Sequence, residues 1–270
     1  MTELCATCGV EAGEPLPEVC PICADERQWV PESGQRWSSL EQQQRDGIRV
    51  DLREEEPGLW AITSEPTVGI GQRALLVQTP GGNLLWDPIG TITAASVERV
   101  RALGGIAVVA SSHPHMFGVQ CAWADALDAR VLVSARDAAW IQRPHPRIEL
   151  WDGELALLPG VRLLRFGGHF PGSAVVLWEQ GSDGDGSLLA GDTIQPKPDR
   201  ASVAFMRSYP NNIPLSAGVV QRLAAKAATL RFRRVHGNFA GQRIEDGPAA
   251  IRRSAQRHVA WVTGAHDDLT

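Results

Sequence analysis

The chain has 270 residues, 43% of them hydrophobic, which is enough to bury one large core or one core with a small accessory module and excludes a disordered or fibrous protein. Its 26 Lys and Arg against 31 Asp and Glu leave a formal charge of −5, which argues against a nucleic-acid scaffold. No stretch nears the roughly 18 to 20 consecutive apolar residues of a membrane crossing, and Met1-Thr2-Glu3-Leu4-Cys5 lacks the basic start and apolar run of an export signal, so a cytoplasmic protein without membrane contact is expected.

Residues 1–28 hold two tight cysteine pairs, Cys5-Ala-Thr-Cys8 and Cys20-Pro-Ile-Cys23, separated by eleven residues. Two turns of this kind can present four thiolates to one point, the closed tetrahedral shell of a structural Zn²⁺. Glycines and prolines between the pairs leave few core residues, so metal is expected to order this knuckle. A redox reading wants a strand-then-helix setting, which neither pair has. Residues 29–58 read as a polar connector, with Trp29 and Trp37 as its packing residues.

From residue 59 the pattern changes. Leu59 to Ser64, Arg73 to Thr79 and Asn83 to Trp86 have the length and β-type content of a strand meander. A helix is predicted over Ala94 to Leu103, then a fully apolar strand, Ile106 to Ala110, that runs into Ser111-Ser112-His113. Helical stretches at Cys121 to Leu127 and Arg136 to Ile141 flank the strand Val131 to Ser134. Strands Ser173 to Trp178 and Ser187 to Ala190 bracket a glycine-rich turn. Two amphipathic helices, on Leu215 to Leu230 and Ile251 to Val262, enclose the strand Arg233 to His236. Strands interleaved with helices in two similar halves imply an α/β domain over residues 59–270, with two sheets and helices outside them.

Four strand-end segments concentrate the chemistry: His113-Pro-His115, Gly167-Gly-His169-Phe-Pro-Gly-Ser173, Ala190-Gly-Asp192-Thr193, and Val235-His236-Gly237. Loops at strand ends can bring imidazoles and a carboxylate to one point while sheets hold them rigid, and this donor set suits Zn²⁺ or Fe²⁺. His145, His258 and His266 have no such setting and read as ordinary residues. Cys121 reads as a small apolar side chain.

In order and spacing these segments resemble the metallo-β-lactamase superfamily over about residues 59–264. That family carries HxHxDH, a third histidine in a GH(T)PGS loop, a bridging aspartate in a GD segment and a last histidine after a late strand. His113, His115, His169, Asp192 and His236 match those positions, and Asp87 matches an early acidic residue near the site. The resemblance implies a four-layer αββα sandwich preceded by the zinc knuckle, a small-molecule substrate, and metal ligands His113, His115, His169, Asp192 and His236. It also implies that Asp192 orients a water and that His236 donates to a developing oxyanion. Phe117-Gly118 stands where the family has its DH pair, which implies one core ion, Zn²⁺ or Fe²⁺, beside the zinc of Cys5, Cys8, Cys20 and Cys23. A metal-dependent hydrolase of esters, thioesters or amides is the leading reading. A degenerate fold that binds metal and recruits a protein partner through the knuckle is the alternative from another class. A mononuclear iron oxygenase is the third, because persulfide dioxygenases of this superfamily hold iron with the positions of His113, His169 and Asp192.

Overall fold

The structure, a computed structural model, describes residues 2–270. The chain forms two compact units, the first ending at Asp152 and the second starting at Gly153.

The first unit opens with three short strands, β1 (Glu3–Cys5), β2 (Glu11–Ala12) and β3 (Trp37–Ser39), paired antiparallel in the order β2-β1-β3. Helix α1 (Leu40–Arg45) follows, its first turn capped by Ser39, whose hydroxyl accepts the Gln42 amide at 3.2 Å. Next come β4 (Arg49–Glu56), β5 (Leu59–Glu65), β6 (Ala74–Val77), β7 (Leu84–Trp86), helix α2 (Ala94–Ala102), β8 (Val108–Ala110), helix α3 (Gln120–Leu127), β9 (Arg130–Ser134) and β10 (Ile148–Trp151). These strands make one seven-stranded sheet, β10-β9-β8-β7-β6-β5-β4, antiparallel from β4 to β7 and parallel from β7 to β10. Strands β6, β7 and β8 are buried along their whole length, which is why their sequences are unbroken apolar runs. Thr93 and Ser96 form a reciprocal capping box that starts α2.

Two boundaries differ from the expected ones. Arg49–Glu56 is the edge strand of the large sheet, not connector; at an edge only one face needs apolar residues, and here just Leu52 and Glu56 are buried. The cysteine module does not stop at residue 28, because β3 supplies its third strand. Nor is it a separate body: Leu4, Cys5, Cys8, Val10, Cys20 and Ile22 belong to the same hydrophobic cluster as Ile89, Phe117, Val119 and Trp123. Trp37 packs against that cluster, whereas Trp29 is exposed.

The second unit contains β11 (Glu154–Leu158), β12 (Val161–Arg165), β13 (Ala174–Trp178), β14 (Ser187–Leu189), two small ribbons, β15 (Gln195–Pro196) with β16 (Val203–Ala204) and β17 (Met206–Ser208) with β18 (Ile213–Pro214), then α4 (Ala217–Ala228), β19 (Arg234–His236), β20 (Arg243–Ile244) and α5 (Gly247–Val262). Its main sheet runs β11-β12-β13-β14-β19-β20, and only β14 and β19 are parallel. Helices α4 and α5 bury Val220, Leu223, Ala227, Ala250, Ile251 and Ala255, which together with Val175, Leu177, Leu188 and Val235 of the strands form this unit's core. No helix among the described residues is long and apolar enough to cross a membrane.

Candidate metal centre

Four cysteine thiols of the first unit cluster with every sulfur within 4.8 Å of the others, and none is in a disulfide. Cys5 and Cys23 are 3.5 Å apart and Cys8 and Cys20 3.8 Å. Four sulfurs held at ~2.3 Å around a tetrahedral ion lie about 3.8 Å apart, so this donor set fits one. Its protons are unevenly shared: hydrogen bonds from Cys20 and then Cys23 favour the Cys5 thiolate, while the hydrogen bond with Cys20 is the main reason that Cys8 and Cys23 stay protonated. A cation in the cluster would replace those protons.

The first histidine loop is built on two parallel neighbours. Strands β7 and β8 end level, with Trp86 opposite Ala110, and the Asp87 amide donates to the Ala110 carbonyl at 2.9 Å. Asp87 sits at φ +56° and its carboxylate accepts the Ser112 amide at 2.6 Å. Asp87 therefore orients this loop through a charge-assisted hydrogen bond. The Ser112 hydroxyl lies 2.9 Å from His113 Nδ1. A single turn of tight helix over Pro114–Met116 then brings the two rings edge to face, centroids 5.1 Å apart, with both residues at most 3% exposed.

Phe117 and Gly118 explain what stands in place of the DH pair. Phe117 is buried in the first unit's hydrophobic cluster. Gly118 has φ +50°, and a Cβ there would lie 2.0 Å from the Pro88 carbonyl oxygen. No side chain can stand at this position without moving backbone, so the path of this loop itself excludes a histidine.

The second loop is closed by its own hydrogen bonds. The Phe166 and Gly167 amides donate to the Ser173 carbonyl at 2.8 Å each, and the Phe170 amide donates to the Ser173 hydroxyl at 2.8 Å. Gly168, at φ +93°, turns the chain just before His169. His169 is fully buried, and its Nδ1 lies 3.1 Å from the Met206 carbonyl. A carbonyl only accepts, so Nδ1 carries the proton and Nε2 is the nitrogen left to bind metal.

Asp192 follows β14 and His236 ends its parallel neighbour β19, where Leu189 stands opposite His236 and the Ala190 amide donates to the His236 carbonyl at 2.9 Å. Both side chains are buried. Burial pushes the Asp192 carboxyl up, while the charge of His169 and a 3.0 Å hydrogen bond from Gln195 pull it down; burial dominates. Met206–Ser208 and Ile213–Pro214 pair as a ribbon, in which the Met206 carbonyl fixes His169 and the Tyr209 hydroxyl donates to the Asp192 main-chain carbonyl at 3.0 Å. Met206 and Gln195 carry no signal of these roles in the sequence, because a backbone carbonyl has no residue signature and a glutamine is common.

One ligand nitrogen from each of His113, His115 and His169 lies within 4.8 Å of the other two, and all three residues are buried. Three imidazoles held out of solvent, each of which must be unprotonated at the nitrogen that binds, are a donor set for a borderline first-row ion. His145 pairs with Asp125 at 3.2 Å and His258 Nε2 lies 2.8 Å from the Leu215 carbonyl, so both have structural roles. Cys121 is fully buried, and desolvation pushes its thiol far up.

The fold is that of the metallo-β-lactamases. The metallo-β-lactamase VMB-1 matches with a TM-score of 0.60 at 14% identity, over 79% of this chain and 98% of that one. FIM-1 of Pseudomonas aeruginosa, solved in a mono-zinc form, matches with a TM-score of 0.55 at 16% identity, over 80% and 96%. A B3 metallo-β-lactamase with an active-site glutamic acid gives 0.54 at 16%, over 90% and 97%. No protein-family model matches the chain. The chain is 41% identical over 260 residues to the uncharacterized protein YmaE of Bacillus subtilis (strain 168), covering 95% of each, and it belongs to that protein's family.

Proposed function

We propose that the protein is a metal-dependent hydrolase that works with one core ion, held by His113, His115 and His169 with Asp192 beside it. The observation that carries this reading is the group of three buried imidazoles with nitrogens within 4.8 Å of one another. Gly118 supports the single ion, since its blocked Cβ direction leaves no place for the histidine that would help to bind a second. When bound, a first-row ion supplies a Lewis acid and, from water, a nucleophile at neutral pH. Asp192, buried and held by Gln195, is the group to orient that water and take its proton; His236 is the group to donate to the oxyanion of an ester, thioester or amide. A small-molecule substrate and a cytoplasmic setting complete the reading. Metal analysis of the purified full-length chain is expected to give about two ions, one per cluster. A screen of esters, thioesters and amides should find an activity that His113→Ala abolishes while the protein stays folded. Activity that survives His113→Ala, or an intact protein with metal on the cysteines alone, overturns the proposal; iron in place of zinc at the histidines would redirect it to oxygen chemistry.

A further inference from the structure

The cysteine module reaches directly to the segment that follows the two histidines. The Glu11 amide, six residues from Cys5, donates to the Gly118 carbonyl at 2.9 Å. The Glu11 carboxylate is 3% exposed; one oxygen accepts the Cys121 amide at 2.5 Å and the other the Arg143 guanidinium at 2.7 Å. Cys121 is the second residue of α3, and Val119, at that helix's N-cap, offers no side-chain hydrogen bond. Helix starts leave main-chain amides without helical partners and favour negative charge, so Glu11 caps α3 from more than a hundred residues away. A further contact is backbone on backbone: a Cβ on Gly90 would lie 2.5 Å from the Gly9 Cα. Gln72 Nε2 also donates to the Cys8 carbonyl at 3.3 Å, and the Val119 amide to the Ile89 carbonyl at 3.2 Å. Residues 117–121 are thereby clamped between Pro88–Gly90 and Val10–Glu11.

This clamp lies just where the chain lacks the DH pair. A ligand on each side of a metal ties a loop down; here Phe117 and Gly118 cannot do so, and hydrogen bonds from the cysteine module do it instead. We infer that the four-cysteine module is the brace of the His113–His115 loop, with Glu11 as its positioning residue, so that metal kept by Cys5, Cys8, Cys20 and Cys23 sets the order of the histidine loop. The chain of causes is short. Cys5 and Cys8 fix the turn that carries Gly9 and Val10, with Gly9 N donating to Cys5 O at 2.7 Å and Cys5 N to Val10 O at 2.9 Å. Glu11 is the next residue. Its functional meaning rests on the reading of His113 and His115 as metal ligands, but its physical content does not.

Amide hydrogen exchange on the full-length metallated protein tests it without any activity measurement. Peptides over 111–123 report the braced loop, and peptides over 167–173 report the self-closed loop of the second unit. Glu11→Ala, Cys20→Ser, and Cys121→Ala protein, which has lost the thiol inside the reporter segment, stripped of its cysteine metal with a thiol-specific mercurial should each raise exchange over 111–123 about tenfold or more against its own metallated parent and leave 167–173 within twofold. Glu11→Gln keeps an acceptor for the Cys121 amide and should fall between. Should Cys20→Ser fail to fold, the mercurial titration and Glu11→Gln still decide. Exchange over 111–123 that stays within twofold of wild type with the cysteine site empty overturns the inference, and so does an equal rise in both loops, which would make the module a general stabiliser. If the histidines hold no metal, the exchange contrast is unaffected, so failure of the hydrolase reading and failure of the brace are separate results.

Discussion

The two units use one construction for different ends. In the first, Asp87 follows β7 and His113 and His115 follow its parallel neighbour β8; in the second, Asp192 follows β14 and His236 is the last residue of its parallel neighbour β19. Carboxyl ends of adjacent parallel strands are where α/β sheets gather ligands, and each unit gathers an aspartate and histidine there. The aspartates then diverge. Asp87 spends a carboxylate oxygen on the Ser112 amide and acts as part of the loop's frame. Asp192 is held through a side chain, Gln195, and burial raises its proton affinity. The histidine loops diverge too. The GGHFPGS loop closes on Ser173 within seven residues, whereas the His113 loop depends on Glu11 from the far N-terminus. A loop that closes on itself is readable from its own residues; one that is braced by a distant segment is not.

The largest test of this contrast uses the two loop glycines. Gly118 faces the Pro88 carbonyl, a rigid backbone atom 2.0 Å from its Cβ position, while Gly168 faces the end of the Leu223 side chain at 3.0 Å. Both have positive φ, so alanine strains both. Gly118→Ala should cost at least about 3 kcal/mol, because backbone must move. Gly168→Ala should cost about 1 to 2 kcal/mol, since a leucine can turn aside. Urea unfolding of the two variants in parallel checks the order; equal costs would mean that the first loop has more slack than a clamped one can have.

A middle-sized effect separates the two frames. Asp87→Ala removes a charged acceptor from a buried amide and should cost about 2 to 3 kcal/mol, while Ser173→Ala removes a neutral one and should cost about 1 to 2 kcal/mol. Each loss should be accompanied by faster exchange at its own amide only, Ser112 in the first case and Phe170 in the second. Spread of the Ser173→Ala effect to residues 111–123 would contradict the independence of the two loops.

Much of this is legible in the sequence. The apolar run into Ser111-Ser112-His113 and the GGHFPGS and GD segments place every expected ligand at a strand end, because metal ligands must be of a few residue types and must follow rigid elements. Less visible were β10, β11 and β12 over residues 148–165, although Asp152-Gly153 and Pro159-Gly160 are turn signals at their joints. The polar edge strand Arg49–Glu56 read as connector because an edge strand resembles one in composition. The brace was invisible for a different reason. Glu11 looks like one more surface acid, and only the placing of its carboxylate at the start of α3 gives it a role.

The smallest difference expected between the units concerns a carboxylate and two arginines in each. Glu55 accepts from Arg53 at 2.5 Å and from Arg73 at 3.3 Å, with Glu55 11% and Arg73 2% exposed. Glu245 accepts from Arg234 at 2.8 Å and from Arg243 at 2.5 Å, but is itself 51% exposed. In both, burial pushes the carboxyl up and the arginine partners outweigh it, so that each sits below the ordinary carboxylate range. A folded-state value lower than the unfolded one means that the folded protein binds the proton less readily. The stabilisation is then complete above the unfolded value of ~4.3 and disappears as pH falls through the folded value. Water screens Glu245 far more than Glu55. Glu55→Gln should therefore cost about 1 kcal/mol at pH 7 and Glu245→Gln only a few tenths. Stability curves of wild type and Glu55→Gln between pH 7 and pH 3 should converge as the medium becomes acidic, the wild type losing more. Curves that stay parallel would show that the Glu55 pair contributes nothing through its charge, and that the sheet edge in the first unit is held by its packing alone.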